Sequence, residues 1–411
     1  MNLQEEFLKE NFRIAILHSA FIESGGAERV VLDQLQSLYL KGYKIDCYGA
    51  VVNYKKCFPD RISQLPIKPY LINLDISKFS YSTLLPLTIL FSDFIKKKLK
   101  EYDVLLCHHQ PAPWLAYKTW VNYRVPYACY IHHPPRFLYP RLVEQELGWG
   151  HDPDRKVIEF FGKRLSFFKK VDLSSILNAK KVFVNSKRTL REVEKIYGVK
   201  PVLCYPAVET FLTKQYSTNA FFEEKIFSSK FKPPAILTTG RHTPHKRLDW
   251  LLLIFKKILK ELDATLVVVG SFHSTYTTKI KSMASKLQIQ DKTVFTGRVS
   301  EDKLIDYYLN SSVYVYPSPN EDFGLGPVEA MGFGLPVVVW GDSSGPDETV
   351  VDGVTGFKAE PYNLEDFAQK TIKILVDEKL RRKMAKNALN HVKTNFSLER
   401  HIETLIKNLV L

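Results

Sequence analysis

The sequence predicts an α/β protein of two domains, each a parallel sheet covered by helices, and three observations carry that reading. At 411 residues the chain is too long for one ordinary core and comfortable for two of about 200. Short apolar runs suited to buried strands alternate with longer segments of helical spacing, as strand–helix–strand units require. Several of those strands run into glycine-bearing turns that open a helix, where backbone N–H groups face the loop. A content of 45% hydrophobic and 25% charged residues is that of a globular chain, so no disordered or fibrous class competes.

Arg13–His18 (RIAILH) reads as a short buried strand. A loop with Gly25 and Gly26 follows, then a helix in which Val30, Val31, Leu35 and Leu38 share a face and Gly42 suits the end. Further strands are expected at Lys44–Gly49, Val104–Cys107, Tyr127–Ile131 and Lys181–Asn185, the last leading through a Ser186 cap into a helix that stops at Gly198. Binding residues should collect at the C-terminal ends of such strands, where the pairs His108–His109 and His132–His133 fall. Adjacent histidines on extended backbone point apart and do not easily share one metal ion. A strand-end histidine bonded to backbone is their plain alternative.

Residues Arg155–Lys170 set Val157, Phe160, Phe161, Leu165 and Phe168 on one helical face and Lys156, Lys163, Lys169 and Lys170 mostly on the other. An interfacial helix beside anionic lipid needs that division, and an ordinary helix packing its phenylalanines inward fits it too. Phe94–Lys100 (FIKKKLK) would extend the same basic surface. The D-x-D of Asp152–Asp154 follows no apolar strand and reads as a turn or helix start. Periodicity fades between Tyr205 and Pro234, which places the linker there.

The second domain begins with the strand AILTTG from Ala235, after which Arg241 and Lys246 lie in a loop before a helix. Basic side chains and helix N–H groups can converge there on phosphate. Strands ATLVVVG from Ala264 and TVFTG from Thr293 follow, and a helix over Asp302–Leu309 leads into VYVYP. The glycine-dense stretch Tyr316–Phe357 comes next; Pro327 suits the first position of a helix, with Glu329 in its first turn and Glu321 in the loop before it. Helix N–H groups and a positive dipole end, flanked by two carboxylates, suit a ligand with an anionic and a hydroxylated part. The strand PVVVW follows, and the chain ends in SLERHIETLIKNLVL, a helix capped by Ser397.

Five scattered cysteines without C-x-x-C spacing argue against a disulfide framework or zinc ribbon and for a reducing compartment. The acidic, amphipathic start MNLQEEFLKENF is not a signal peptide, and LLPLTILF from Leu84 is too short to span a bilayer. A net charge of +14 is compatible with nucleic acid, anionic membrane or phosphorylated small molecules. No helix-turn-helix, zinc-finger or aromatic RNA-binding signature supports nucleic acid as a partner.

With Glu321 and Glu329 spaced as Glu-x7-Glu, EDFGLGPVEAMGFGLPVV resembles the signature of the GT-B-fold retaining glycosyltransferases of family 4. SGGAERV is similar to that family's glycine-rich first loop, Gly240–Lys246 to its G-R-x4-K, and Tyr130–Arg136 (Y-x-H-x-P-x-R) to a mannosyltransferase-rich branch. The resemblance is looser in the first domain, and the region from about Asn53 to Lys100 matches little of it. It implies two Rossmann-like doubly wound domains facing a cleft: 1–207 on the acceptor side, a linker at 208–234, 235–396 binding the nucleotide sugar, and 397–411 as a helix crossing back to the first domain.

By the same resemblance, Gly25 and Gly26 lie against the donor diphosphate and sugar, and Arg241 and Lys246 neutralise the diphosphate. Glu321 accepts sugar hydroxyls beside the Phe323-Gly324-Leu325 backbone, Glu329 holds the ribose, His132 meets the sugar near the reacting centre, and Arg136 and Tyr139 line the acceptor side. The implied reaction moves a hexose, mannose favoured, from GDP-mannose or a UDP-sugar to a glycan or lipid-linked acceptor, with retention and without a divalent metal. A sugar-nucleotide epimerase of the same fold would need acid–base residues aimed at the sugar ring, and the Glu-x7-Glu context argues against it. The expected location is cytoplasmic, with the basic segments compatible with a peripheral place on the membrane's cytoplasmic face.

Overall fold

The computed structural model describes residues 12–70, 88, 92–141, 164–208, 234–272 and 274–409. They form two compact units: the described residues up to Ala207 together with the C-terminal helix from Leu398, and those from Val208 to Ser397. The D-x-D, residues 155–163 of the amphipathic segment, nearly all of LLPLTILF and most of the expected linker lie outside the described residues. Among the described residues no helix is long and apolar enough to cross a membrane.

In the first unit, seven parallel strands stand in the order β3-β2-β1-β4-β5-β6-β7. They are β1 Arg13–His18, β2 Lys44–Gly49, β3 Ile67–Pro69, β4 Val104–His108, β5 Tyr127–Ile131, β6 Lys181–Val184 and β7 Val202–Leu203. Both faces of the central strands are covered, which is why these segments read as near-continuous apolar runs. In β1, Ile14 and Ile16 join one buried cluster while Ala15 and Leu17 join the other. The helix Lys187–Tyr197 starts as expected, with the Ser186 hydroxyl accepting Thr189 N–H at 2.9 Å, and ends at Gly198 in a left-handed conformation. The helix Leu398–Leu409 buries Ile402, Leu405 and Leu409 in the cluster that holds Val31 and Leu35. The last apolar stripe of the sequence therefore completes the first core.

The second unit carries six parallel strands in the order β10-β9-β8-β11-β12-β13. These are β8 Ala235–Thr239, β9 Thr265–Val269, β10 Thr293–Gly297, β11 Val313–Tyr316, β12 Val337–Trp340 and β13 Gly356–Ala359. In each sheet the chain winds outward in one direction and then restarts beside its first strand, next to β1 and β4 in one unit and β8 and β11 in the other. Ligands of open α/β sheets bind beyond the strands' C-terminal ends at such switch points.

One local expectation is corrected. The helix after β11 spans Leu325–Gly332, two residues earlier than Pro327 suggests, so Glu329 falls outside its first turn. Gly324, at φ 78°, reverses the chain just ahead of Leu325, a conformation that costs glycine little. Pro327 becomes the third helical residue, whose N–H has no intrahelical partner in any case.

Candidate active site

At the second unit's switch point Lys246 and Glu321, 75 residues apart, meet with Nζ 2.6 Å from Oε2. Lys246 sits in the short turn Pro244–Lys246 after β8, and Glu321 in the loop after β11. That loop is held from three sides. Trp340 Nε1 donates to Pro317 O at 2.8 Å, Gly345 N to Glu321 O at 2.9 Å, and Asn320 N to Asp342 Oδ2 at 2.9 Å. Tyr316, the last residue of β11, completes the arrangement: its hydroxyl accepts from Lys246 Nζ at 2.6 Å and donates to Glu321 Oε2 at 3.2 Å. Lys246 and Glu321 are each only 17% exposed, so water screens the pair poorly.

A cavity of about 10 Å³, the room of a single water, lies beside them and is lined by Thr239, Gly240, Arg241, Lys246, Tyr316 and Ser318. Arg241 is exposed at its rim. Thr239, in the lining, has its Oγ1 2.9 Å from the Tyr314 hydroxyl. A Cβ on Gly326 would overlap that hydroxyl, so glycine there lets the helix Leu325–Gly332 approach the strand ends. Glu329, the fifth residue of this helix, is buried and accepts from Tyr308 Oη at 2.9 Å. Phe323 is buried against Phe396, which leaves its backbone rather than its ring to serve a ligand.

The first unit's switch point is built from imidazoles. His18 and His108 end β1 and β4 in register, and His132 follows β5. His108 Nδ1 lies 3.0 Å from His132 Nε2, and the His109 ring stacks on His132 at 4.8 Å between centroids. Burial first, and neighbouring imidazoles second, hold His108, His109 and His132 well below the usual histidine range. These rings are neutral at neutral pH. Among the described residues no group of three His, Cys, Asp or Glu side chains is placed to hold a metal ion.

Gly25 caps the helix Gly26–Leu40 in extended conformation, and Glu28 in its first turn turns its carboxylate back toward Gly25. Glu28 Oε1 lies 3.5 Å from His18 Nε2. Arg136 is paired with Glu192 at 3.3 Å, and Tyr139 packs edge-on against Tyr197. The sequence reading did not single out Tyr316, Tyr308, His18 or Glu28. Tyr316 and His18 could have been suspected as polar residues that end strands before glycine-bearing loops.

Two family models cover most of the chain: Glycosyltransferase Family 4 matches residues 24–210, and Glycosyl transferases group 1 matches 221–391. The chain is 26% identical over 339 residues to an uncharacterized glycosyltransferase of Methanocaldococcus jannaschii, covering 78% of this chain and 80% of that one. It is 22% identical to the alpha-1,3/1,6-mannosyltransferase ALG2 of Dictyostelium discoideum across 98% of this chain and 99% of that one. The crystal structure of Anabaena HepE in complex with UDP and glucose superposes with a TM-score of 0.71 at 17% identity, covering 97% and 99% of the two chains. The fold is that of the GT-B glycosyltransferases, two Rossmann-like units, and the chain belongs to glycosyltransferase family 4 and is a glycosyltransferase.

Proposed function

We propose that this enzyme is a retaining hexosyltransferase that takes mannose from GDP-mannose, binds the donor on its second unit and needs no divalent metal. The observation that carries the reading is the contact of Lys246 with Glu321 and Tyr316 at the switch point. It pairs a cation suited to phosphate with a carboxylate suited to sugar hydroxyls. With the pair closed, the adjoining cavity holds about 10 Å³, and on this reading a diphosphate enters by taking Lys246 from Glu321. The exchange takes the lysine away from Oε2 of Glu321, which can then accept from the sugar beside the Tyr316 hydroxyl.

The acceptor hydroxyl attacks the anomeric carbon on the face the phosphate leaves, the sugar–phosphate bond breaks, and a departing phosphate oxygen takes the acceptor's proton. Lys246 and Arg241 offset the charge that grows on the diphosphate, the task a metal ion performs in other transferases. Glu329 would hold the ribose. Gly25 and Gly26 would face the donor, Arg136 and Tyr139 the acceptor, and His132 would meet the sugar during turnover.

Mannose is favoured by the Tyr130–Arg136 segment and by the mannosyltransferase named above. The UDP and glucose of the structural neighbour make UDP-glucose the second donor to try. Protection against thermal unfolding by GDP-, UDP- and ADP-sugars tests the assignment. GDP-mannose should raise the melting temperature most, and a larger rise with a UDP-sugar would replace mannose in this reading.

For the acceptor we propose a glycan on a lipid carrier at an anionic surface. Phe94 and Phe167 are half exposed or more, beside exposed Lys97, Lys98, Lys169 and Lys170. Sedimentation with anionic liposomes at low salt checks it, and a protein left in the supernatant would remove the membrane from the proposal.

A further inference from the structure

We infer that His108 is a positioning residue that holds His132 as its Nδ1–H tautomer, so that His132 offers the donor sugar a hydrogen-bond donor and no lone pair. The inference rests on His132 meeting the sugar, as proposed above, and concerns which proton it brings there.

The sheet order makes the contact possible. β4 and β5 are neighbours, so the residue that ends one lies beside the residue that follows the other. The two rings have centroids 5.2 Å apart, and His108 Nδ1 is 3.0 Å from His132 Nε2. Burial and adjacent imidazoles keep both rings neutral, so each carries one proton and only one of them can donate across the contact.

The other nitrogen of His108 decides which. His108 is fully buried, and its Nε2 has no hydrogen-bond partner among the described residues. If His108 accepted through Nδ1, its proton would sit on Nε2 as a buried N–H with nothing to receive it. Buried backbone N–H groups are left orphaned more rarely than acceptors are left unfilled, and the same order is taken for the imidazole. The proton therefore lies on His108 Nδ1 and is donated to His132 Nε2. With Nε2 engaged as acceptor, the neutral His132 ring must carry its own proton on Nδ1.

That atom is the ring nitrogen which the contact with His108 leaves over. His132 keeps 6% of its surface exposed. Both rings are held in place: His108 stacks on Tyr130 at 5.3 Å, and Asn185 Nδ2 donates to the His132 carbonyl at 2.9 Å. His132 so fixed can bind a sugar oxygen through Nδ1–H, and it has no free lone pair with which to act as a base.

The test uses the full chain labelled with ¹⁵N-histidine. A long-range ¹H–¹⁵N correlation spectrum, with His132 assigned by loss of its signals in His132→Ala, should show protonated Nδ1 and acceptor-type Nε2. His108→Leu should release the tautomer and lower the rate of GDP release from GDP-mannose (or of UDP from UDP-glucose, if only that donor protects the protein) about tenfold, with KM changed less. His108→Asn, whose amide can stand where Nδ1–H stood, should restore both signatures. A proton on Nε2 of wild-type His132 overturns the inference whether or not either variant folds. A slow His132→Ala beside a wild-type-like His108→Leu overturns it and leaves the contact to the sugar standing. A wild-type rate in His132→Ala overturns the contact and the positioning role together.

Discussion

Where β8 and β11 end, the second unit sets Lys246 against Glu321 with Arg241 at the rim, whereas where β1 and β4 end and β5 runs on, the first unit gathers neutral imidazoles. The place in the fold is the same, a switch point of a parallel sheet, and the chemistry is opposite. On the proposed reading a charged pair is held ready for a charged ligand, because the incoming phosphates replace the partner that Lys246 gives up. Buried neutral rings gain little from a charge and can offer only directed N–H groups, which count for most where water is excluded. On the proposed reading the first site answers the sugar and the second answers the phosphates. The comparison teaches that fold position announces a site, and that the local balance of charge and burial decides what the site can hold.

The largest expected effect breaks the charged side. Lys246→Ala removes the cation proposed for the diphosphate and should lower kcat/KM about 10²–10³-fold, the usual cost of losing one preorganised donor to developing charge. Glu321→Ala should cost at least about tenfold, or about 1.4 kcal/mol. Steady-state kinetics measure both, with circular dichroism confirming that each variant is folded. A rate near wild type in Lys246→Ala would mean that the second unit contributes something other than charge.

Acid should act on the uncharged side. His108, His109 and His132 have folded-state pKa values pushed down by burial, below the roughly 6.5 of the unfolded chain. Above that value both states are neutral and the groups contribute nothing. Below it the unfolded state takes up protons that the folded state refuses, so stability falls with pH by up to about 1.4 kcal/mol per unit for each ring. Asp172, pushed up to about 6 by burial, works the other way: its folded form binds a proton more readily, and it offsets part of the loss between about 6 and its ordinary range near 4. Melting temperature measured from pH 7.5 to 5 should therefore drop, and His108→Asn should flatten the drop. An unchanged slope in that variant would show that His108 does not contribute to the acid limit.

Much of this was legible in the residues, because buried parallel strands announce themselves as short apolar runs and the candidate site's segments carry glycines, a lysine and two glutamates at fixed spacing. What stayed hidden depends on the sheet. β3 and β7, of three and two residues, are too short to show any period, and Pro69 in β3 suits only an edge strand. The start of the helix at Leu325 hinged on a left-handed Gly324 that Pro327 masked. The bond between His108 and His132 exists because β4 lies beside β5, an order that no local pattern states. Tyr316 read as one more strand aromatic until the fold brought Lys246, 70 residues earlier in the chain, against its hydroxyl.

Tyr316 offers the smallest and sharpest test of the charged side. Its ring lies under Lys246, with Nζ 5.0 Å from the centroid, and its hydroxyl both accepts from Lys246 and donates to Glu321. The two contributions separate by substitution. Tyr316→Phe keeps the ring and loses the hydroxyl, which should cost about 1 kcal/mol, or roughly fivefold in kcat/KM. Tyr316→Leu also loses the cation–ring attraction and should fall further by about 0.5–1 kcal/mol. If the hydroxyl aims Lys246, the phenylalanine variant will lie between wild type and leucine in a steady-state assay of nucleotide release. Equal rates for wild type and phenylalanine would leave the ring alone to support the lysine, and Glu321 would then be its only hydrogen-bonding anchor among the contacts described.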